Sequence, residues 1–334
     1  MHLQVGIVGL GEAWEWGYRP ALRRLADQFR VVGIYDSVFR RAQLASEEFR
    51  AHPAESFRGL IFRPDVTAVL VLGSDWLGPL PVTVACESGK PVFLGAPFEL
   101  TLSELEELTC VAQTTGQPLM PALGLRAILK AARVPELIEV SLGDPRQIFC
   151  YHRMLRWGRG WRSHLAAKLA ELIDGCLFLL RQPAGSVVGL SPGDFEECPS
   201  GLKILGFGCE VPTPGKAQAT VHIVCEWFSK PVCIEGVDFR GTSELHLHCE
   251  DGVACFEEGK CLSWSDPAGH HRERLDGQAC PEELLLAAFY QAVVSKAPLL
   301  ADIRDAYTAL SLVAKAQESR KPAGDIYRDH RKPG

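Results

Sequence analysis

Val5-Gly6-Ile7-Val8-Gly9-Leu10-Gly11 is the stretch that decides the fold of this chain. An unbroken apolar run from Val5 to Val8 reads as a strand buried on both faces, and it ends abruptly in two glycines. A strand that runs into a Gly-x-Gly turn and then a helix is the start of a β-α-β unit, whose turn leaves backbone N–H groups facing an anion such as pyrophosphate. The next strand, Val31 to Tyr35, is followed by Asp36, some 25 residues beyond Gly11. That is near the usual distance for a carboxylate that accepts hydrogen bonds from an adenosine ribose.

Outward from this stretch the alternation continues. A helix with Leu22, Leu25 and Phe29 on one face is expected before the second strand, and a helix through Ala42, Leu44 and Phe49 after it. Val66 to Leu72 and Val92-Phe93-Leu94 read as further strands, separated by a helix containing Val82 and Val84. Leu102, Leu105 and Leu108 lie at helical spacing ahead of Pro118-Leu119-Met120. Short β-rich runs alternating with helices give a doubly wound parallel sheet.

The pattern changes after about residue 123. A helix over roughly Trp161 to Leu180 is flanked by β-rich runs at Gln147 to His152, Ala219 to Phe228, Val232 to Phe239, Glu244 to Cys249 and Val253 to Phe256. Turns such as Glu250-Asp251-Gly252 join the strands as antiparallel hairpins. Two helices close the chain, near Glu282 to Ser295 and Ile303 to Ser319. The fold class is therefore α/β. A parallel-sheet domain over 1–122 is followed by an α+β domain over 123–334 with an open, mostly antiparallel sheet, and the last helix is expected to pack back on the first domain.

Composition bounds the function. Hydrophobic residues make up 47% and charged residues 23% of the 334, which supplies two ordinary cores. A net charge of −6 argues against a nucleic-acid or anionic-membrane binder, which needs a basic face. No run approaches the ~18 apolar residues of a membrane span, and the N-terminus has no basic leader, so a cytoplasmic protein is expected. Twelve cysteines without a C-x-x-C pair read as reduced thiols. Cys249, Cys255 and Cys261 recur at intervals of six but lack paired spacing, so no metal is expected. There is no G-x-S-x-G, H-E-x-x-H or P-loop.

Five segments together resemble the Gfo/Idh/MocA oxidoreductase family: Val5 to Gly11; Tyr35-Asp36 followed by Arg41-Ala42; Gly89-Lys90-Pro91-Val92-Phe93-Leu94-Gly95-Ala96-Pro97; Leu123 to Arg126; and Asp305 to Ala316. The resemblance implies a Rossmann domain, NAD or NADP, a sugar, polyol or related carbonyl substrate, and homo-oligomers formed through the second sheet. Gly9, Gly11, Asp36, Arg41 and Ser74 are the cofactor-binding candidates. Asp36 favours NAD, while Arg40 and Arg41 leave NADP open.

The chain departs from that family where the chemistry lies. In the family's E-K-P segment the lysine position is Ala96 and the glutamate position Gly95. With Asp174 as anchor for the family's D-x-G-x-H-x-x-D helix, the histidine position is Glu171. Trp14 replaces a small residue in the glycine turn, and Glu12 adds a negative charge there. His164, Lys168 and Glu171 fall on one helix face, which is either a relocated site or the solvated salt-bridge face of an ordinary amphipathic helix. Arg126, Tyr151 and Asp174, with His152 and Arg153 nearby, are the substrate-binding candidates, and Trp157 and Trp161, interleaved with Arg156, Arg159 and Arg162, form either a candidate lid or a surface loop of stacked arginine and indole. The expectation is an oxidoreductase homologue with degenerate catalytic residues. Its alternatives are a non-catalytic ligand-binding or regulatory protein, or an NAD-using lyase or glycosidase.

Overall fold

The computed structural model describes residues 2–155, 161–181, 188–192, 196–197, 202–211, 219–228, 242–275, 277 and 279–318. For the end of β7, the start of α8 and strands β8 to β10, only the backbone is described.

The first sheet holds β1 (Leu3–Val8), β2 (Phe29–Tyr35), β3 (His52–Pro53), β4 (Ala68–Val71), β5 (Val92–Leu94) and β6 (Leu119–Pro121), all parallel in the order β3-β2-β1-β4-β5-β6. Its connecting helices are α1 (Arg19–Arg24), α2 (Phe39–Phe49), α3 (Phe57–Ile61), α4 (Leu80–Glu87) and α5 (Leu102–Thr115). Alternation along the strands splits the core in two, as a sheet covered on both faces requires. Ala68, Leu70 and Leu72 enter one cluster with Leu3, Val5 and Ile7, while Val69 and Val71 enter the other with Val8, Val92 and Leu94. Helix α5 starts at a capping box, Thr101 with Glu104, which satisfies amide donors at its first turn.

The chain enters its second half through α6 (Gly124–Ala131) and α7 (Val134–Leu137). It then forms β7 (Pro145–Leu155), α8 (Trp161–Leu180), β8 (Val188–Pro192), β9 (Glu196–Glu197), β10 (Leu202–Val211), β11 (Ala219–Phe228), β12 (Thr242–Cys249), β13 (Val253–Glu257), β14 (Cys261–Asp266) and β15 (Gly269–Arg274). The main path of this sheet is β15-β14-β13-β12-β7-β11-β10-β8, with β9 pairing β10. Only β7 with β11 is parallel among its pairs. One face, through Ile148, Cys150, Val221, Ile223, Leu245 and Leu247, packs on Leu165, Leu169, Leu172 and Cys176 of α8.

Helices α9 (Pro281–Val294) and α10 (Ile303–Glu318) both return to the first sheet. Leu285, Leu286 and Phe289 of α9 complete its core, with Phe289 against Phe93 at 5.7 Å. Helix α10 packs on both α5 and α8. No helix among the described residues is long and apolar enough to cross a membrane.

Several expectations are corrected. The helix after Gly11 is not continuous: a π-helical turn, Trp14–Tyr18, precedes the six-residue α1, and Phe29 belongs to β2. Pro20 explains the break, since proline starts a helix well and cannot continue one. Leu44 is half-exposed, and Ala42, Ala45 and Ser46 are the buried face of α2. Strands β14 and β15 were not legible because their outward residues are polar or aromatic. The run Val232 to Phe239 and the residues 156–160 that carry Trp157 lie outside the described residues.

Candidate functional site at the carboxyl ends of the parallel strands

The order of the first sheet reverses between β1 and β4, and open α/β sheets bind ligands at such a switch point. Gly9 and Gly11 sit there with φ of +69° and +60°. A Cβ on Gly11 would lie 2.2 Å from the Leu72 carbonyl oxygen, and one on Gly9 would lie 2.1 Å from that of Gly73. Both glycines are therefore demanded by the approach of this loop to the end of β4 as well as by conformation.

Asp36 is buried and its carboxylate accepts hydrogen bonds from Leu10 N–H (3.0 Å) and Val38 N–H (2.9 Å), with Arg41 Nη1 at 3.4 Å. It thus clasps the glycine loop. Trp14, which the sequence set in the mouth of that loop, is instead buried in the core against Phe49 at 5.8 Å. The mouth stays clear of the indole. Three groups there lack partners among the described residues: the buried Ser74 hydroxyl beyond β4, and the N–H groups of Gly11 and Glu12. Apolar side chains stand exposed around the same rim, Val38 and Phe39 beyond β2 and Trp76 beyond β4. These donors, the orphan hydroxyl and the apolar rim fit a dinucleotide's phosphates and base.

At the end of β5, the Gly95 carbonyl accepts a hydrogen bond from the Tyr18 hydroxyl at 3.0 Å, and Ala96 follows. Burial first, then the charges of Glu282 and Glu171, hold the Tyr18 phenol well above its ordinary value. Helix α8 packs against the turn Pro97–Glu99 immediately beyond Ala96. On that helix Lys168 donates to Glu171 Oε2 at 2.9 Å, and Glu171 Oε1 accepts from Leu125 N–H at 3.1 Å. Burial alone would lower the Lys168 ammonium, but Glu171 and Glu258 more than offset it and hold it above the usual lysine range. The pair keeps partial contact with solvent, the lysine side chain 21% and the glutamate 25% exposed.

A second layer lies under Lys168. His152 Nδ1 is 3.1 Å from the Ser243 hydroxyl, and Ser243 N–H donates to Glu258 Oε2 at 3.0 Å. Nothing in the sequence singled out Ser243 or Glu258, because Ser243 reaches this cluster through pairing of β12 with β7 and Glu258 through pairing of β12 with β13. Burial, then the Lys168 charge, pushes His152 down to about 3. The unfolded chain protonates near ~6.5, so it takes up a proton that the folded chain refuses. Stability from this imidazole is full above pH ~6.5 and is lost as pH falls toward about 3. Urea midpoints across that window are expected to fall less steeply in His152→Gln than in the wild type. Parallel slopes would remove His152 as a source of acid sensitivity.

The remaining sequence candidates are placed differently. Arg126 is 9% exposed and makes four hydrogen bonds: two to Asp174, one to the Leu300 carbonyl and one to Asp305 (2.9 Å). Its guanidinium also lies over the Phe178 ring, 5.1 Å from the centroid. Arg126 and Asp174 therefore join α6, α8 and α10 rather than present free groups to a ligand. Tyr151 is on the opposite face of the sheet from Lys168, edge-on to His246 at 5.8 Å. Strand alternation dictates this, since its neighbours Cys150 and His152 face the helices. The side chains of His164, Arg153 and Trp161 lie outside the described residues.

Residues 3–123 match the model of the oxidoreductase family Gfo/Idh/MocA, described by its NAD-binding Rossmann fold. Over those residues the chain is similar to that family's NAD-binding domain. Among curated relatives, inositol 2-dehydrogenase of Ralstonia nicotianae is 30% identical over 173 residues, 50% of either chain. The Pseudomonas fluorescens inositol 2-dehydrogenase is 27% identical over 201 residues, 58% of this chain and 59% of that one. The chain thus spans about half the length of the curated relatives it matches. Similar folds include UDP-N-acetylglucosamine 3-dehydrogenase GnnA of Acidithiobacillus ferrooxidans, TM-score 0.76 at 15% identity over 96% of this chain and 98% of that one. Biliverdin reductase of Synechocystis, solved with biliverdin and NADP+, gives 0.66 at 15% identity over 95% and 98%. At such identities the likeness is one of fold, and fold alone does not give function.

Proposed function

We propose that this chain is an NAD(P)-dependent oxidoreductase of the Gfo/Idh/MocA type that acts on a hydroxyl or carbonyl of a sugar- or polyol-like compound, with Lys168 supplying the cation absent at Ala96. The observation that carries this reading is the Lys168–Glu171 pair, charged and partly open, on the helix packed against the turn after Ala96. The family's relatives named above as inositol 2-dehydrogenases support a polyol class of substrate.

Gly11 and Glu12 N–H groups and the Ser74 hydroxyl would hold a dinucleotide, with Asp36 facing its ribose side. The coenzyme, when bound, supplies hydride acceptance or donation. Lys168 orients the substrate oxygen and stabilises negative charge as it develops there, in a partly desolvated setting where an ammonium acts more strongly than in water. Glu171 holds Lys168 charged. Each of its carboxylate oxygens keeps a lone pair beyond the bonds described, so it can also exchange the substrate proton. Neutral His152, fixed by Ser243, packs beneath the ammonium without competing for its charge.

A second reading keeps the coenzyme and loses turnover. It is favoured by Ala96 and by the engagement of both Glu171 oxygens. Fluorescence titration with NADH and NADPH, followed by a panel of inositols and sugars read at the reduced-coenzyme absorbance, separates the two. Binding with turnover is expected. Binding alone selects the second reading, and failure to bind either coenzyme overturns both.

A further inference from the structure

The geometry points to a site for a zinc-class divalent ion on the open face of the second sheet, held by Glu244, His246 and Cys255. Glu244 and His246 are two apart on β12 and so share a face, and Cys255 of β13 stands directly opposite His246 in the ladder. Their ligand atoms all lie within 4.8 Å of one another. His246 Nε2 is 2.6 Å from Glu244 Oε1, and the Cys255 thiol donates to the same oxygen at 3.8 Å.

Metal–ligand lengths of ~2.0–2.3 Å around a tetrahedral ion put ligands about 3.3–3.8 Å apart, so small side-chain shifts let all three reach one centre. Imidazole, thiolate and carboxylate together favour zinc or a similar first-row ion over calcium or magnesium, which take oxygen ligands. Coordination replaces the two hydrogen bonds to Glu244: the thiol proton leaves to solvent, and His246 binds through Nε2 with its remaining proton on Nδ1.

The site is neither core nor cleft. Leu245 and Leu247, the alternate residues of β12, pack on the helices, so the triad faces away from Lys168 and the coenzyme end. It opens on a groove of about 450 Å³ that is also lined by His248, Ser263, His270 and Arg272. Three protein ligands leave the fourth position to water or to an anion reaching Arg272. Structural zinc sites fill all four positions from protein, and sites that bind exogenous ligands do not. Sequence spacing hid the triad because its thiol comes from across the ladder.

Titration of the full chain with Co²⁺ alone tests the assignment without reference to any activity. One equivalent is expected to give tetrahedral visible bands and a thiolate charge-transfer absorbance, both abolished by added Zn²⁺. Cys255→Ser removes the thiolate band, while Cys261→Ser, on the neighbouring strand, retains it. His246→Ala weakens binding by more than the ~10–100-fold typical of losing an outer partner of a ligand. Wild-type chain without the thiolate band, or a band that survives in Cys255→Ser of unchanged circular dichroism, overturns the site.

Discussion

Lys168→Met lowers turnover of the preferred polyol by ~10²–10³-fold while leaving coenzyme affinity within a factor of about two. The size is that of removing one preorganised charge from a developing oxyanion. Methionine keeps the length and apolar body of the side chain, so the loss is read as charge rather than as a cavity. The variant leaves Glu171 and Glu258 without their shared cation, and its unfolding midpoint has to be measured alongside the rate. Lys168→Arg restores a cation without the compact geometry of an ammonium and is expected to recover only part of the activity. Glu171→Gln is the companion: it keeps an acceptor for Leu125 N–H, removes the proton carrier and slows turnover by ~10²-fold or more. Wild-type kcat in Lys168→Met would remove the lysine from the mechanism. An active wild type with an unaffected variant would leave the likeness to the family's NAD-binding domain intact and relocate the chemistry.

The second large effect is on stability. Arg126→Met is expected to cost about 3–5 kcal/mol, because it leaves Asp174 buried with its charge partner gone. Burial pushes the Asp174 carboxyl up to about 6, against the pull of Arg126. A raised folded-state value means that the folded chain holds the proton more tightly, so Asp174 favours folding below ~pH 4 and loses that contribution as pH rises through about 6. Without Arg126 the penalty is greatest at neutral pH and shrinks toward acid. Arg126→Met with Asp174→Leu removes the orphan charge and recovers most of the loss, since replacing a buried ion pair by apolar groups is often neutral. Urea unfolding of the two single variants and the double variant measures this coupling. Additive losses would show that the pair is not the clasp between α6, α8 and α10.

The parallel sheet was legible in detail because its signals are local. Val5 to Val8, Val31 to Tyr35 and Val92 to Leu94 are apolar runs whose burial on both faces leaves no alternation to misread. Gly9 and Gly11 were legible as a turn, although half of the reason for them, the carbonyls of Leu72 and Gly73, comes from another strand. Trp14 was misread for the same cause. Its size is visible in the sequence, but the pocket beside Phe49 that receives it is not. The candidate face of α8 was found by helical spacing alone, which put Lys168 next to Glu171.

What spacing could not supply was which charges are already matched. Arg126 and Asp174 are 48 positions apart, and Ser243 lies 91 from His152. Whether such groups face a ligand or one another depends on which strands become neighbours. The same holds for Tyr151, which alternation sends to the face away from Lys168.

The sequence by itself determined the alternation of strands and helices in the first sheet, the glycine turn and the absence of a lysine at Ala96, because each depends on residues close together in the chain. The tertiary structure decided that Asp36 clasps the loop, that Arg126 is held by Asp174 and Asp305, and that Glu244, His246 and Cys255 meet. Electrostatic and coordination energies fall off over a few ångströms, and only the folded chain brings residues distant in sequence within that range.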